Sequence, residues 1–263
     1  ISQLFEIFGS IYYIIHMGAE SSVDKSIEDP YPFLYNNVLG TMNMLEMVKS
    51  LESVVEKYIQ VSTDEVYGPA IDGKLHKENE PHFPSNPYSA SKAAAEDFCF
   101  AYYNTYDLPI ITTRTMNNFG ERQDVEKFVP MVVKNILTGT KTKLHSNINY
   151  IDPNVEVSSR CWLHARNHSD GLLFLLENGK IGEQYNITGE RKTVLEMFFM
   201  IRDIMDRGGE YTFEDFHKFR TGHDMHYGLD GTKMEQLGWK PSYDFYTSLE
   251  KTVNWYLENR KWL

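Results

Sequence analysis

A hydroxyl and two adjacent carboxyls, Thr63, Asp64 and Glu65, stand directly after a β-rich run, Lys57 to Val61. Downstream, Tyr88 and Lys92 sit four residues apart, which puts them on one face of a helix. A phenol, an amine, an acid and a base in one crevice suit redox and proton chemistry on an alcohol. A free tyrosine titrates near ~10, so a phenolate at neutral pH needs about 4 kcal/mol of help. An ammonium one helical turn away is expected to favour the phenolate. Two neighbouring carboxyls in different environments can serve as one acid and one base. Each feature also has a plainer reading. Tyr-x-x-x-Lys arises roughly once by chance in a chain of this composition, and an acid pair in a loop is ordinarily solvated. Position favours the chemistry. The acids follow a strand, where open α/β sheets put their ligand crevice. The Tyr–Lys pair opens the helix that comes next, after an extended entry at Asn86-Pro87.

The elements that must hold these groups can be read in order. Ile1 to Phe8 reads as the tail of a helix, and Tyr12 to His16 as a short buried strand. Val38, Met42, Leu45 and Val48 recur at helical spacing, which predicts a helix from Asn37 to about Leu51. Lys57 to Val61 is a strand, and Gly68 to Pro87, with four prolines, a loop. A helix marked by Ala94, Phe98, Ala101 and Tyr102 follows, then a strand over Pro109 to Arg114. This alternation predicts βαβ units and a parallel sheet. Phe128 to Leu137 and Ser169 to Glu177 read as helices, and Gln184 to Ile187 as a strand. Thr193 to Glu196 is a capping box for a helix through Met205, and Leu249 to Leu257 marks a last amphipathic helix. Lys141 to Ser158 reads as irregular. Asn117 to Gly120 follows a strand end, and suits either a turn or amides that orient a sugar or a carboxamide. His164 and His168 are four apart, but without a third ligand at matching spacing they read as structural, so no metal is expected.

Composition narrows the classes. The chain has 263 residues, 41% apolar, with a net charge of −11. That suffices for a packed core and argues against a nucleic-acid partner. Two cysteines, Cys99 and Cys161, form no disulfide framework and point to a reducing, cytoplasmic setting. No apolar run approaches the ~20 residues of a membrane span.

Several longer stretches carry a resemblance. They include His16-Met17-Gly18-Ala19-Glu20-Ser21-Ser22-Val23-Asp24, Asn37-Val38-Leu39-Gly40-Thr41, Ser62-Thr63-Asp64-Glu65-Val66-Tyr67-Gly68 and Asn86-Pro87-Tyr88-Ser89-Ala90-Ser91-Lys92. Further on come Glu126-Lys127-Phe128-Val129-Pro130, Gly182 to Ile187, Gly222-His223-Asp224 and Leu237 to Pro241. In this order they resemble the extended short-chain dehydrogenase/reductases, and within them the nucleotide-sugar 4,6-dehydratases. Thr63-Asp64-Glu65 is the most specific match, since related epimerases keep the tyrosine and lysine but usually not the two acids.

The resemblance implies an α/β fold: a doubly wound, parallel, Rossmann-type sheet with a smaller α/β substrate domain. NAD would bind residues 1–115 with about 160–190, and the sugar nucleotide residues 116–159 and 191–263. It implies NAD-dependent dehydration of a nucleotide-diphosphate hexose, dTDP-glucose first and UDP-glucose or another such hexose second, to a 4-keto-6-deoxy sugar; a nucleotide-sugar 4-epimerase on the same fold and then a non-catalytic sugar-nucleotide-binding remnant are the competing readings. Tyr88, supported by Lys92, would take the proton of the 4-hydroxyl, and Thr63 would hold that oxygen. Glu65 would remove the C5 proton and Asp64 would protonate the departing 6-hydroxyl. Ala19, Asn37, Ser62, Tyr88, Lys92 and Asn117 would touch the cofactor, and Glu20, Ser21 and Asn117 the sugar. Glu126, Lys127, Arg160, Asn186, Arg220 and His223 would line the nucleotide half. A homodimer paired through the helices after Asn37 and Lys92 is implied as well. Three departures stand out. The family opens with a Gly-rich turn that wraps the pyrophosphate. This sequence has none, so the chain is expected to be a fragment lacking the Gly-rich βαβ unit, with roughly 60 residues missing, about two βαβ-scale units. Cys161 stands where the family usually has an aspartate, and Ser146 to Ser159 differs from its usual Gly-containing turn.

Overall fold

The computed structural model of the protein describes residues 11–51, 54–147, 156–219 and 222–263. The expected N-terminal helix at Ile1 to Phe8 lies outside them. Strand β1 (Tyr13–His16) is followed by a short helix, Val23–Glu28. The chain then turns helical at Tyr31–Phe33, passes through a π-helical stretch, Leu34–Leu39, and continues as α1 (Gly40–Ser50). This helical run starts earlier than the sequence predicts, because the wider π turn puts the apolar residues before Gly40 out of phase with a 3.6-residue repeat. Strand β2 (Lys57–Thr63) ends in a 3₁₀ turn, Asp64–Tyr67. Helix α2 (Pro87–Tyr106) and β3 (Ile110–Thr115) follow.

These strands and a later one, β8 (Gln184–Asn186), form one parallel sheet in the order β1-β2-β3-β8. Alternate side chains on its strands face opposite ways, and both faces are covered. Tyr58 and Ile110 pack under α1 and α2 with Leu45, Val48 and Cys99. Ile59 and Ile111 face the other way, against Leu172 and Leu175. At about 1.5–3 kcal/mol per buried aliphatic side chain, these two layers fix the strand ends to which the reactive groups are attached. β1 departs from expectation. Among the described residues it is the outermost strand of this sheet, with Tyr13 exposed and Ile14 to His16 half-buried rather than buried.

Past β3 come β4 (Asn118–Phe119), α3 (Phe128–Thr138), β5 (Thr142–Asn147), β6 (Glu156–Val157) and β7 (Ser159–His164). Then follow α4 (Ala165–Asn178), β8 (Gln184–Asn186), β9 (Glu190–Thr193), α5 (Val194–Met205), β10 (Tyr211–Asp215) and α6 (Phe245–Glu258). Two small sheets, β10-β5-β6 and β4-β7-β9, complete the architecture. A second core gathers Val132, Val133 and Ile136 of α3, Met197, Phe198 and Ile201 of α5, and Leu249 and Val253 of α6. The capping box at α5 forms as read: Thr193 Oγ1 accepts from the Glu196 amide at 3.1 Å, and Glu196 accepts from the Thr193 amide at 2.7 Å.

The Lys141 to Ser158 segment corrects the reading. Its described part is not irregular but carries β5 and β6. The inward positions of β5 are Thr142, Leu144 and Ser146. Two of the three are polar, so the alternation is invisible as hydrophobicity.

Candidate active site

The reactive turn begins where β2 ends. Thr63 caps the 3₁₀ turn, its Oγ1 accepting from the Glu65 amide at 3.3 Å and donating to Asp64 Oδ1 at 3.1 Å. The turn closes at Gly68, whose φ is +76°. A Cβ there would stand 2.4 Å from the Phe83 carbonyl oxygen, so glycine is required both by conformation and by space.

Tyr88 is delivered by the start of α2. Asn86 Oδ1 accepts from the Ser89 amide at 2.8 Å, and Ser89 Oγ accepts from the Asn86 amide at 3.1 Å. Pro87 follows in the first turn, where a missing N–H costs nothing. Ser26 Oγ accepts from the Tyr88 amide at 3.1 Å. Val23 and Phe33 hold the phenol ring between them, Phe33 edge-on with its centroid 6.3 Å away. One turn on, the buried Lys92 ammonium donates to the Val61 carbonyl at 2.8 Å. The tyrosine, the lysine and the acid turn thus meet at the carboxyl end of β2.

The two carboxyls differ in their surroundings. Asp64 is 4% exposed, and its Oδ2 is buried without a hydrogen-bond partner. Burial, joined by the charge of Glu65, pushes its carboxyl up to about 8, against the Thr63 hydroxyl and the Arg160 charge. Glu65 is half-buried. Its Oε2 accepts from Asn86 Nδ2 at 3.1 Å and from the Tyr227 hydroxyl at 3.3 Å. Burial raises Glu65 as well, and those two donors and Arg160 oppose the rise.

Burial outweighs the help expected of Lys92. Burial, and then the charges of Glu65 and Asp64, push Tyr88 upward, while the Thr63 hydroxyl opposes them. Burial lowers Lys92 itself to about 8, with Glu96 working against that. A neutral Asp64 removes one of the charges that hold the phenol up.

The remaining expected residues fall into groups. Ser62 is 4% exposed with an unpartnered Oγ. Ala19, Ser21 and Asn117 are exposed and Glu20 is half-buried. Asn37 is 1% exposed, and its amide bonds the Glu20 backbone and Ser91 Oγ at 2.8–3.0 Å, which ties the loop after β1 to α2. Asn186 is fully buried, and its Nδ2 donates to the carbonyls of His76 and Asp230 at 2.9 and 3.2 Å. Arg160 donates to the carbonyls of Ser159, Met225 and Asp224, and its charge reaches Asp64 and Glu65. Three others come together across the opening. Glu126 pairs with Lys25 at 3.4 Å, Lys127 donates to the Ser21 carbonyl at 3.5 Å, and His223 Nε2 lies 2.9 Å from Asp24 Oδ1. Arg220 lies outside the described residues.

Sequence reasoning missed the groups behind the turn. Buried Arg114 clamps Glu96 through Nε at 2.9–3.1 Å and binds the Tyr67 hydroxyl. Tyr227 gave no local signal, since 162 positions separate it from Glu65. His164 caps α4 and contacts Glu121 at 3.5 Å. No three His, Cys, Asp or Glu side chains among the described residues are grouped to hold a metal ion, and none of their helices is long and apolar enough to cross a membrane.

Comparison with known proteins agrees with this geometry. A family model described as GDP-mannose 4,6 dehydratase matches residues 2–252. The chain belongs to this family. Among curated members, a probable dTDP-glucose 4,6-dehydratase of Sinorhizobium fredii is 36% identical over the whole chain and 76% of its own length. The low-salt glycan biosynthesis protein Agl12 of Haloferax volcanii is 38% identical over 93% of the chain and 75% of its own length. Among solved structures, the dTDP-glucose 4,6-dehydratase DesIV of Streptomyces venezuelae, which contains NAD, superposes with a TM-score of 0.86 at 35% identity. That match covers 100% of this chain and 78% of DesIV. The UDP-glucose 4-epimerase of Thermus thermophilus, also with NAD, reaches 0.84 at 26% identity, over 97% of this chain and 80% of its own. The family is therefore that of NAD-dependent nucleotide-sugar dehydratases, on a parallel α/β fold it shares with epimerases.

Proposed function

We propose that this chain dehydrates a nucleotide-diphosphate hexose, dTDP-glucose first among candidates and UDP-glucose second, to the 4-keto-6-deoxy sugar. One observation carries the reading. Asp64 and Glu65 are adjacent and both raised by burial, yet Asp64 Oδ2 has no donor while Glu65 Oε2 accepts two hydrogen bonds that favour its carboxylate. An acid and a base side by side are what elimination across C5 and C6 requires. An epimerase on the same fold needs only the tyrosine and lysine.

The residues fit a nicotinamide cofactor. Ser62 Oγ, buried and unpartnered at the carboxyl end of β2, suits a polar ligand in the crevice. Ala19, Ser62, Lys92 and Asn117 would hold NAD. When bound, NAD supplies the redox partner for oxidation at C4 and reduction at C6. Tyr88 takes the proton of the 4-hydroxyl, and Thr63 orients that oxygen. Lys92 keeps a positive charge beneath them. The ketone at C4 acidifies the C5 proton, Glu65 removes it, and Asp64 Oδ2 gives its proton to the 6-hydroxyl, which departs as water; Glu65 returns a proton to C5 as C6 is reduced. Glu20 and Ser21 face the sugar. Glu126, Lys127, Arg160, Arg220 and His223 serve the nucleotide half. Residues 1–115 with about 160–190 form the cofactor part, and 116–159 with 191–263 the nucleotide part. Leu34, Tyr35 and Leu39, each at least 41% exposed on the helical run before α1, support the homodimer, which sedimentation at micromolar concentration would test.

The test uses the full-length protein with NAD and the candidate sugar nucleotides. Glu65→Gln should still oxidise C4 and then stall, without deuterium entering C5 from heavy water. Tyr88→Phe should slow even the oxidation, by roughly 10²- to 10⁴-fold. Normal turnover by Glu65→Gln with full C5 label would overturn the dehydratase reading.

A further inference from the structure

The segment 222–227 makes a set of contacts that nucleotide recognition alone does not explain. Its Gly222 carbonyl accepts from Asn86 Nδ2 at 3.0 Å, and Ser85 Oγ donates to Asp224 Oδ2 at 2.8 Å. The Asp224 amide donates to the Tyr227 hydroxyl oxygen at 3.0 Å. That hydroxyl has one proton to give, and it gives it to Glu65 Oε2 at 3.3 Å. The Arg160 guanidinium covers the Tyr227 ring at 4.3 Å and also donates to the Asp224 and Met225 carbonyls. Tyr227 is buried, and its amide donates to the Ser159 carbonyl at 3.2 Å. Asn86 approaches the same carboxylate oxygen from α2. Both bonds fall on Oε2, and Oε1 carries neither.

We infer that Tyr227, set by segment 222–227 and backed by Asn86, is a positioning residue for Glu65: it pins Oε2 so that Oε1 is the basic atom. The same segment carries His223, which the proposed function assigns to the nucleotide half. This rests on the proposed dehydration. The groups facing Glu65 are Asn86, Arg160, Asp224 and Tyr227, with Asp64 and Tyr88 on its other sides. Of the two hydroxyl-bearing neighbours, only Tyr227 donates to Glu65 in the structure.

Tyr227→Phe removes the donor and keeps the ring. In the full-length protein with NAD and dTDP-glucose, C5 exchange and product formation should fall roughly 10- to 100-fold, as for a lost hydrogen bond to a charged group. Oxidation at C4 and KM should hold. In cofactor-free protein labelled with ¹³C at glutamate carboxyls, the Glu65 resonance should titrate at higher pH in Tyr227→Phe than in wild type, because a donor to its charged form is gone. An equal slowing of both steps, with the Glu65 titration unmoved, would overturn the inference. Glu65→Gln is the control for the underlying reading. If it still exchanges C5, the base lies elsewhere, and the titration alone decides the clamp: a shift supports it and no shift overturns it.

Discussion

Asp64→Asn isolates what burial does to an acid. Moving the carboxyl from its usual 3.8 to about 8 corresponds to roughly 6 kcal/mol of preference for the neutral form. Asp64 is then about nine-tenths protonated at pH 7 and about one-tenth at pH 9. The proton belongs on Oδ2, because Oδ1 already accepts from Thr63. The sign for stability follows. Between 3.8 and 8 the folded state binds a proton that the unfolded state has lost, so stability falls as pH rises through that window, by roughly 4 kcal/mol at pH 7. Asn cannot ionise, so Asp64→Asn should unfold at a higher temperature than wild type, by a margin that grows up to pH 8. The same variant should lose elimination by about 10²- to 10⁴-fold while oxidation at C4 persists. Infrared difference spectra would follow the neutral-carboxyl C=O band, which should titrate near pH 8 in wild type and be missing in Asp64→Asn. A wild-type protein with no such band at pH 6, or a variant no more stable at pH 8, would refute the argument.

Three further outcomes are expected. Burial lowers His168 to about 4 from 6.5, so only the unfolded state takes its proton between those values. Stability is complete above pH 6.5 and falls on acidification, by about 2 kcal/mol at pH 5; thermal unfolding of His168→Leu should lack this step. Arg114→Met leaves the buried Glu96 charge with His82 as its remaining partner and should cost roughly 3–5 kcal/mol in urea unfolding, whereas the double replacement Glu96→Gln with Arg114→Met should cost much less. Gly68→Ala, strained by its positive φ and by the Phe83 carbonyl, should cost at least about 2 kcal/mol and reduce activity through the turn that holds Glu65.

What was legible in the sequence was whatever a local pattern encodes. The βαβ alternation, the Thr193 capping box and the placement of Asp64 and Glu65 after a strand each depend on neighbours a few positions apart. What escaped depends on distance or on polar burial. β5 hides because Thr142 and Ser146 face inward. The π turn hides because it breaks the helical phase before Gly40. Asn37 and Asn186 carried motif matches, yet their amides are spent inside the protein, which only the fold reveals. The phenol is the sharpest case. Spacing brings Lys92 close to Tyr88, but spacing says nothing about the Val61 carbonyl that accepts its hydrogen bond, or about the burial that raises both hydroxyl and acid.

Those features also locate the difference between two activities on one fold. The epimerase of Thermus thermophilus superposes almost as well as DesIV, so backbone likeness does not separate them. The sheet delivers a tyrosine, a lysine and a cofactor crevice, which suffice to oxidise and reduce a sugar carbon. Elimination asks for two carboxyls in opposite protonation states within one turn. This chain puts its two carboxyls in unequal surroundings: burial raises both, but Asp64 has no donor on Oδ2, while Asn86 and Tyr227 donate to Glu65 and oppose the rise. Exchanging those surroundings should exchange the roles. A donor introduced beside Asp64 Oδ2 should lower its carboxyl and abolish acid catalysis while leaving the fold intact, so the identity of the residues matters less than the hydrogen bonds each one receives.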